Sequence, residues 1–259
     1  MRPLLIAGNW KMNKDLFETL AFLQGLRAYA QKHKEERVQI VVAPAYPFLL
    51  TAVDLLKDTP VKVAAQDVSS NEDGAFTGEV SASMLASLHL SFCIVGHSEC
   101  RQYHSDTDDV INIKLQRVIK NGMKPIFCIG EKLEERQSGR TNEVLQRQLA
   151  IGLNEINLSA GKDLVIAYEP VWAIGTGQVA TPQQAQEAQA FIRNFLLQKY
   201  GAEVADTVQI LYGGSVKPDN IKEIILQPDI DGALIGGASL KLDLFTAMID
   251  LAKEAVKIK

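Results

Sequence analysis

A glutamate, a histidine and a lysine each follow a short apolar run in this chain. Glu169 ends "LVIAYE", His97 follows "SFCIVG", and Lys11 comes two residues after "LLIAGN". A carboxylate can remove a proton from carbon next to a carbonyl if the developing enolate oxygen is stabilised. An imidazole can donate a hydrogen bond to that oxygen, and an ammonium group can supply positive charge. These residue types predict proton-transfer chemistry, provided that the fold brings them together.

Glycine-rich segments predict an anion site. "YGGS" (212–215) and "IGGAS" (235–239) each follow an apolar run and precede a helical pattern. Glycines there let backbone N–H groups approach an anion, and a helix N-terminus adds favourable partial charge. "IGTGQ" (174–178) is a third such segment. "GTGQVA" matches the dinucleotide-binding motif G-x-G-x-x-A. This match is weak, because Glu169 and a long loop separate the segment from the strand that precedes it.

The elements that must position these groups are eight apolar runs alternating with helical patterns. Most runs are apolar on both faces, which is typical of buried parallel strands. Eight such units in a chain of 259 residues predict an α/β fold, a single (β/α)8 barrel domain over residues 1–259, with its chemistry at the carboxyl ends of the strands. A doubly wound open sheet is the alternative. The runs begin at Leu4, Val38, Val61, Ser91, Lys124, Leu164, Thr207 and Asp231. The helical patterns span 15–33, 107–122, 141–156, 181–201 and 240–257.

Composition and charge exclude several classes of function. The net charge is −4 and the chain has no basic tail, so nonspecific nucleic-acid binding has little electrostatic support. The most apolar stretch, "VQIVVAPAYPFLLTAVDLL", is interrupted by polar residues and prolines, which argues against a membrane span. The N-terminal apolar run is too short for a signal peptide. We expect a soluble cytoplasmic protein.

The cysteines and histidines suggest no metal or cofactor motif. Cys93, Cys100 and Cys128 show no C-x-x-C spacing, so neither a disulfide framework nor a zinc motif is predicted. We expect Cys128 to pack beneath the site and His104 to lie on the surface. His33 and His89 fall in helical segments, where a solvated or capping role is expected.

Two carboxylates near the expected site have structural alternatives. Glu99 could take a direct role, or it could form an ion pair with Lys11. Glu131 could begin the helix that follows it, where a negative charge suits the helix dipole.

Seven motifs occur together in one order along the chain: "AGNWKMN", "GAFTGE", "GHSE", "CIGE", "AYEPVWAIGTG", "YGGSV" and "GGASL". Together they resemble the triosephosphate isomerase family, and the match runs from residue 6 to about 241. The resemblance implies a TIM barrel, no cofactor or metal, and the interconversion of dihydroxyacetone phosphate and D-glyceraldehyde 3-phosphate, a step of glycolysis and gluconeogenesis.

The same resemblance implies roles for individual residues. Glu169 would shuttle the proton between the two carbons, and neutral His97 would act as electrophile on the enediolate oxygens. Asn9 and Lys11 would bind the substrate and its developing charge. The phosphate would contact Gly175, Ser215, Gly236 and Gly237.

The resemblance also implies a moving segment. Residues 170–180 would form a lid whose closure excludes water from the intermediate. Trp172 would lean on Glu131 when the lid is open, and Tyr212 and Ser215 would bind the closed lid.

A homodimer is implied as well, because "SSNEDGAFTGE" (69–79) resembles the loop that inserts into a partner subunit. Thr77 would reach toward the neighbour's site. Cys100, Asp106 and Gln178 depart from the family's usual arginine, glutamate and lysine. None of them removes a proton-transfer group, and the implied local ion pairs and rate of lid movement are the properties that they put in question.

Two other functions are compatible with parts of this pattern. Another phosphate-binding barrel isomerase, acting on an aminated or indole substrate, would share the glycine-rich loops. It would not explain "GNWK", "GHSE" and "YEPVWAIGTG" together. A binding protein that keeps only the fold would be expected to lose Glu169, His97 or Lys11, and all three are present.

Overall fold

Eight parallel strands close into a barrel in the computed structural model, which describes residues 2–32, 35–161, 163–174 and 179–259. Each strand pairs with the next along the chain, and the eighth pairs with the first. This confirms the predicted (β/α)8 barrel and excludes the open sheet. The strands are β1 Leu4–Asn9, β2 Val38–Ala43, β3 Lys62–Ala65, β4 Phe92–Val95, β5 Lys124–Ile129, β6 Val165–Tyr168, β7 Gln209–Tyr212 and β8 Gly232–Ile235.

Helices surround the barrel. Their starts follow ordinary capping chemistry: Thr107 accepts the N–H of Val110, and Thr181 forms a capping box with Gln184. The helices are α1 Leu16–Lys32, α2 Leu49–Leu56, α3 Ala82–Ser87, α4 Ser98–Tyr103, α5 Asp108–Lys120, α6 Leu133–Gln137, α7 Thr141–Gly152, α8 Pro182–Tyr200, α9 Ala202–Thr207, α10 Ile221–Ile225 and α11 Leu242–Ile258. Within the described ranges, none of these helices has the length and apolar character that crossing a membrane requires.

Side chains along each strand alternate between two apolar cores. In β1, Leu5 and Ala7 join the core inside the barrel, whereas Leu4 and Ile6 join the core between strands and helices. This is the two-residue period of a strand with both of its faces buried. Cys128 of β5 lies in the inner core, which confirms its predicted packing beneath the site.

The ends of four strands bring the predicted chemistry to one mouth of the barrel. Asn9 is the last residue of β1, and Glu169 directly follows β6. Gln66 follows β3, and His97 lies two residues after β4. Because all eight strands are parallel, these positions share the same end of the barrel.

Candidate active site

A carboxylate and an imidazole are paired at the mouth of the barrel. The Nε2 atom of His97 lies 2.9 Å from Oε1 of Glu169, and both side chains are buried. The backbone N–H of Ser98 donates to Oε2 of Glu169 at 2.9 Å. Both carboxylate oxygens of Glu169 therefore have a hydrogen-bond partner.

The neighbouring backbone leaves room for Glu169 only because two glycines face it. A Cβ atom at Gly130 would stand 1.7 Å from the carbonyl oxygen of Glu169, and one at Gly213 would stand 2.9 Å from its Cγ. The N–H of Glu169 donates to the carbonyl of Ile129 at 2.7 Å. Glu169 is thus held between the ends of β5 and β7.

The contacts of His97 define which ring nitrogen carries the proton. Nδ1 accepts the backbone N–H of Glu99 at 3.2 Å, at the N-terminus of α4. Nε2 of the neutral ring must then carry the hydrogen and donate it to Glu169. Oε2 of Glu99 lies 3.6 Å from Nδ1, so a second proton on the ring would face this carboxylate.

The pKa values of the pair depend on their contact. Burial lowers the pKa of His97, but the Glu169 carboxylate raises it more, so the net shift is upward from 6.5. Burial raises the pKa of Glu169, but His97 and the Ser98 N–H lower it more, so the net shift is downward from 4.5. Once Glu169 moves away, burial and the nearby Lys11 charge both lower the pKa of His97, which favours the neutral ring.

These shifts predict a pH-dependent contribution of the pair to stability. A raised histidine pKa stabilises the fold below 6.5 and loses this effect as pH rises through the raised value. A lowered glutamate pKa stabilises above 4.5 and loses its effect as pH falls through the lowered value. We expect thermal unfolding of wild type and His97→Gln to differ most between those two ordinary values. A difference that is the same at every pH would contradict the prediction.

Lys11 extends from β1 over the same mouth. Its backbone is in the left-handed region, with φ of 53°, and its N–H donates to Oδ1 of Asn9 at 3.0 Å. The side chain of Gln66 donates to the Lys11 carbonyl at 2.9 Å. The Lys11 ammonium lies 2.7 Å from Oε1 of Glu99, which confirms the ion pair that the sequence left as one of two alternatives for Glu99.

The loop after β8 lies next to Lys11. A Cβ atom at Gly236 would be 3.5 Å from Cε and 3.9 Å from Nζ of Lys11. The hydroxyl of Ser239 donates to the carbonyl of Gly236 at 2.7 Å, which fixes the start of the short 3-10 turn over Gly237–Leu240. An anion bound by this turn would therefore also contact the ammonium group of Lys11.

A cavity of about 300 Å³ joins these groups. Its walls contain every described residue for which a catalytic or substrate-binding role was implied by the resemblance. Gly175 and Gln178 lie outside the described residues. Lys217, which the sequence analysis did not single out, also lines it. The walls comprise Asn9, Lys11, His97, Glu169, Ile174, Gly213, Gly214, Ser215, Val216, Lys217, Leu234, Gly236, Gly237 and Ala238.

Glu131 anchors the segment that follows Glu169. The Trp172 indole N–H donates to Oε1 of Glu131 at 2.9 Å, and the Tyr168 hydroxyl donates to the same oxygen at 3.0 Å. Arg136 lies 3.3 Å from this oxygen and stacks 4.8 Å from the Trp172 ring centre. The predicted contact between Trp172 and Glu131 is confirmed. The alternative that Glu131 begins a helix is wrong, because Glu131 is fully buried and α6 begins at Leu133.

Tyr212 lies beneath the far end of the same segment. Its side chain is fully buried. Burial raises the pKa of its hydroxyl to about 12, although the backbone N–H of Ala180 acts in the opposite direction and lowers it. The hydroxyl has no hydrogen-bond partner among the described residues. The hydroxyl is therefore placed to bind the backbone of residues near Ala180.

The remaining histidines lie away from this cavity as far as the structure describes them. His104 is exposed at the end of α4, as predicted. His89 is also exposed, but it follows α3 with φ of 58° instead of lying within a helix. His33 lies outside the described residues.

Together the closed barrel, the buried carboxylate and imidazole, and the nearby ammonium define a (β/α)8-barrel protein whose site holds the groups that acid–base catalysis uses. The family model described as triosephosphate isomerase matches residues 4–252. Triosephosphate isomerase from Carboxydothermus hydrogenoformans is 47% identical over 249 residues, covering 96% of this chain and 98% of the relative. The relative of that name from Citrifermentans bemidjiense is 49% identical with the same coverage. This chain belongs to the triosephosphate isomerase family, and it is an isomerase.

Proposed function

We propose that this enzyme interconverts dihydroxyacetone phosphate and D-glyceraldehyde 3-phosphate through an enediolate, in glycolysis and gluconeogenesis. The observation that carries the proposal is the pairing of Glu169 with His97 at 2.9 Å in a cavity that also contains Lys11. These are a base, a hydrogen-bond donor and a positive charge within reach of one small substrate.

Glu169 acts as the base in this proposal. It leaves His97 and the Ser98 N–H, turns toward the substrate and removes a proton from the carbon next to the carbonyl. Its pKa is lowered by those two partners, so leaving them makes the carboxylate more basic. The hydroxyl proton of the enediolate passes from one of its oxygens to the other, and the same carboxylic acid returns its proton to the neighbouring carbon, which completes the isomerisation.

His97 and Lys11 act on the oxygens. The Nε2–H that faces Glu169 in the resting site becomes available to donate to the carbonyl oxygen. Because Nδ1 accepts the Glu99 N–H, the ring donates as a neutral imidazole. The Lys11 ammonium and the side chain of Asn9 bind the substrate and stabilise the negative charge that develops.

The phosphate group is proposed to bind at the loops after β7 and β8. Ser215, Gly236 and Gly237 line the cavity there, and Gly175 completes the set that we propose. Gly236 lies beside Lys11, which supports a phosphate site on one side of the ammonium group, with the reacting carbons on its other side. Residues 170–180 form the lid, with Trp172 on Glu131 at its first end.

The activity is tested by a coupled assay on D-glyceraldehyde 3-phosphate, in which dihydroxyacetone phosphate is reduced with NADH by glycerol-3-phosphate dehydrogenase. We expect NADH oxidation that depends on this enzyme and stops with a phosphate-bearing enediolate analogue. A well-folded wild-type enzyme without activity in this assay would disprove the proposed function.

We also propose that residues 1–259 act as one domain and that two copies form a homodimer. The loop 69–79 is braced against the start of α3, since Asp73 accepts hydrogen bonds from the hydroxyls of Ser81 and Ser83, and its tip is exposed. Phe76 at this tip is 45% exposed. A rigid loop with an apolar tip suits insertion into a partner.

Light scattering coupled to size exclusion measures this state. We expect twice the chain mass of 28.4 kDa, and a shift toward the monomer in Phe76→Asp because the new carboxylate would be buried. Ile258→Asp, at another exposed apolar residue, is the matched control and should stay dimeric. A monomeric and fully active wild type would contradict the dimer.

We propose the cytoplasm as its location. Cys93, Cys100 and Cys128 are all free thiols, which suits a reducing compartment. The proposed partners are the phosphorylated triose and a second copy of the chain; no role in nucleic-acid or membrane binding is proposed.

A further inference from the structure

We propose that the barrel mouth at the amino ends of the strands binds a second ligand, a small carboxylate with an apolar body. A cavity of about 520 Å³ lies at this mouth, compared with about 300 Å³ for the active-site cavity. Both volumes are typical of small-molecule sites. The catalytic groups of a barrel gather at the opposite mouth, so this cavity is not part of the catalytic site.

The first residues of three neighbouring strands line this amino-end cavity. Lys62 begins β3, Phe92 begins β4 and Lys124 begins β5. Phe92 belongs to the core inside the barrel. Lys62 and Lys124 each stand two residues before a member of that core, Ala64 and Ile126, so their side chains also point toward the barrel interior. Because β4 lies between β3 and β5, the two lysines flank one aromatic ring.

The filled interior of the barrel separates the amino-end cavity from the active site. Ile94, Ile126 and Cys128 are fully buried in the inner core, since such a barrel is packed with side chains and is not a pore. None of the described residues lines both cavities. A ligand at the amino end can therefore bind while the active site is occupied.

The charges of the lining favour a ligand with one negative charge. Among the described lining residues, Lys62 and Lys124 are cationic and Asp163 is anionic, so two positive charges and one negative charge leave one positive charge. The Asp163 carboxylate accepts the hydroxyl and N–H of Ser159 and the N–H of Ala160, which makes it part of the turn before β6. A carboxylate balances the remaining charge, whereas a phosphate monoester is close to a dianion at neutral pH.

Both ammonium groups have hydrogen-bond donors to offer a ligand. Nζ of Lys124 donates to the Gly161 carbonyl at 2.8 Å, which uses one of its three N–H donors. Lys62 is exposed, and its ammonium has no hydrogen-bond or ion-pair partner among the described residues. Burial lowers the pKa of Lys124 from 10.5, and the charge of Asp163 offsets only part of this effect. A bound carboxylate would favour the charged form of this ammonium.

The rest of the wall is apolar and suits a hydrophobic body. Leu90, Phe92 and Met123 are buried side chains of this wall, and Ile119 extends it. Nζ of Lys124 lies 5.8 Å from the centre of the Phe92 ring, so a ligand lying against this ring would place its carboxylate next to Lys124. Covering this apolar wall stabilises the complex in a way that an inorganic anion cannot.

The amino-end cavity stays open in the proposed homodimer. The loop 69–79 follows the carboxyl end of β3, and none of its residues lines this cavity. Lys62 and Gly122 are exposed at its edge, so a ligand can enter from solvent.

A fluoronaphthoate tests the site by fluorine NMR, because binding broadens and shifts the signal of this probe. The full chain is titrated with and without a saturating phosphate-bearing enediolate analogue, which occupies the active site. We expect one probe per chain and the same affinity in both titrations. The affinity should fall at least about tenfold in Lys62→Gln and in Lys124→Met, since each variant removes a charged hydrogen-bond donor.

Lys57→Gln is the matched control, because Lys57 is an exposed lysine at the end of α2 that does not line the cavity. Its affinity for the probe should stay within about twofold of the wild type, since salt screens a distant exposed charge. Two related probes test the chemistry of the ligand. The uncharged fluoronaphthamide should bind at least about tenfold more weakly, and fluoronaphthyl phosphate should bind no more tightly than the carboxylate.

Lys62 is exposed, so its variant remains informative even if Lys124→Met fails to fold. The proposal would be overturned by absence of binding to the wild type, by displacement of the probe by the enediolate analogue, or by unchanged affinity in Lys62→Gln. An equal loss in Lys57→Gln, equal affinity for the amide, or tighter binding of the phosphate would also overturn it. The readout does not involve isomerase activity, so a negative result leaves the proposed reaction untouched.

Discussion

Glu169→Gln is expected to lower kcat by about 10²- to 10⁴-fold, the usual contribution of a positioned general base. An amide cannot accept the proton from carbon, although its oxygen can still accept the Ser98 N–H that binds Oε2 at 2.9 Å in the wild type. The change is nearly isosteric, and KM should change far less than kcat. Coupled assays of both enzymes over a range of substrate concentrations separate the two parameters.

The matched control for this variant is Glu143→Gln, which changes an exposed glutamate in the first turn of α7. It should keep wild-type kcat. Thermal unfolding of both variants checks that each is folded. A folded Glu169→Gln enzyme with wild-type kcat would show that another group removes the proton.

Lys11→Met is expected to lower kcat/KM by at least about 10²-fold, because it removes a positive charge aimed at developing negative charge. Methionine keeps much of the apolar side chain, so the backbone bond between Lys11 N–H and Asn9 should survive. We expect kcat to fall and KM to rise, since in the proposed mechanism the ammonium group stabilises the developing charge and also contacts the phosphate. Steady-state kinetics with a titration of inorganic phosphate as a competitive inhibitor would measure both effects.

Glu99→Gln separates the role of Lys11 from that of its ion pair. The variant keeps the ammonium group and removes only the carboxylate at 2.7 Å, whose side chain is 42% exposed. Because the positive charge of Lys11 is retained, this variant should lose less than about tenfold in kcat/KM. Equal losses in the two variants would mean that the pair, and not the charge of Lys11, matters.

The sequence predicted the main site residues because the topology of the barrel alone brings the residues that follow its strands to one mouth. Glu169 and His97 each come directly after an apolar run, and parallel strands in a barrel end at one mouth. Position after a strand therefore predicts proximity without any knowledge of distances. The closed barrel was predicted for a similar reason, from the number and burial of its units.

Contacts between separate elements were harder to predict. Two contacts depend on how α6 packs against the end of β6: that of Arg136 with Trp172 and that of Tyr168 with Glu131. In the sequence, Tyr168 cannot be told apart from an aromatic residue of the core. The buried position of Glu131 was missed because a carboxylate just before a helix has an ordinary explanation. The direct contact between His97 and Glu169 required side-chain geometry, although both residues were named.

That contact also bears on which molecules the enzyme can act upon. The proposed base, Glu169, is already bound by His97 and by the Ser98 N–H, so in the proposed mechanism a substrate must displace these partners before any proton moves. The energy for this displacement has to come from parts of the substrate that do not react, chiefly its phosphate. A triose without phosphate would therefore be discriminated against twice. It would bind weakly, and once bound it would leave the carboxylate with its internal partners.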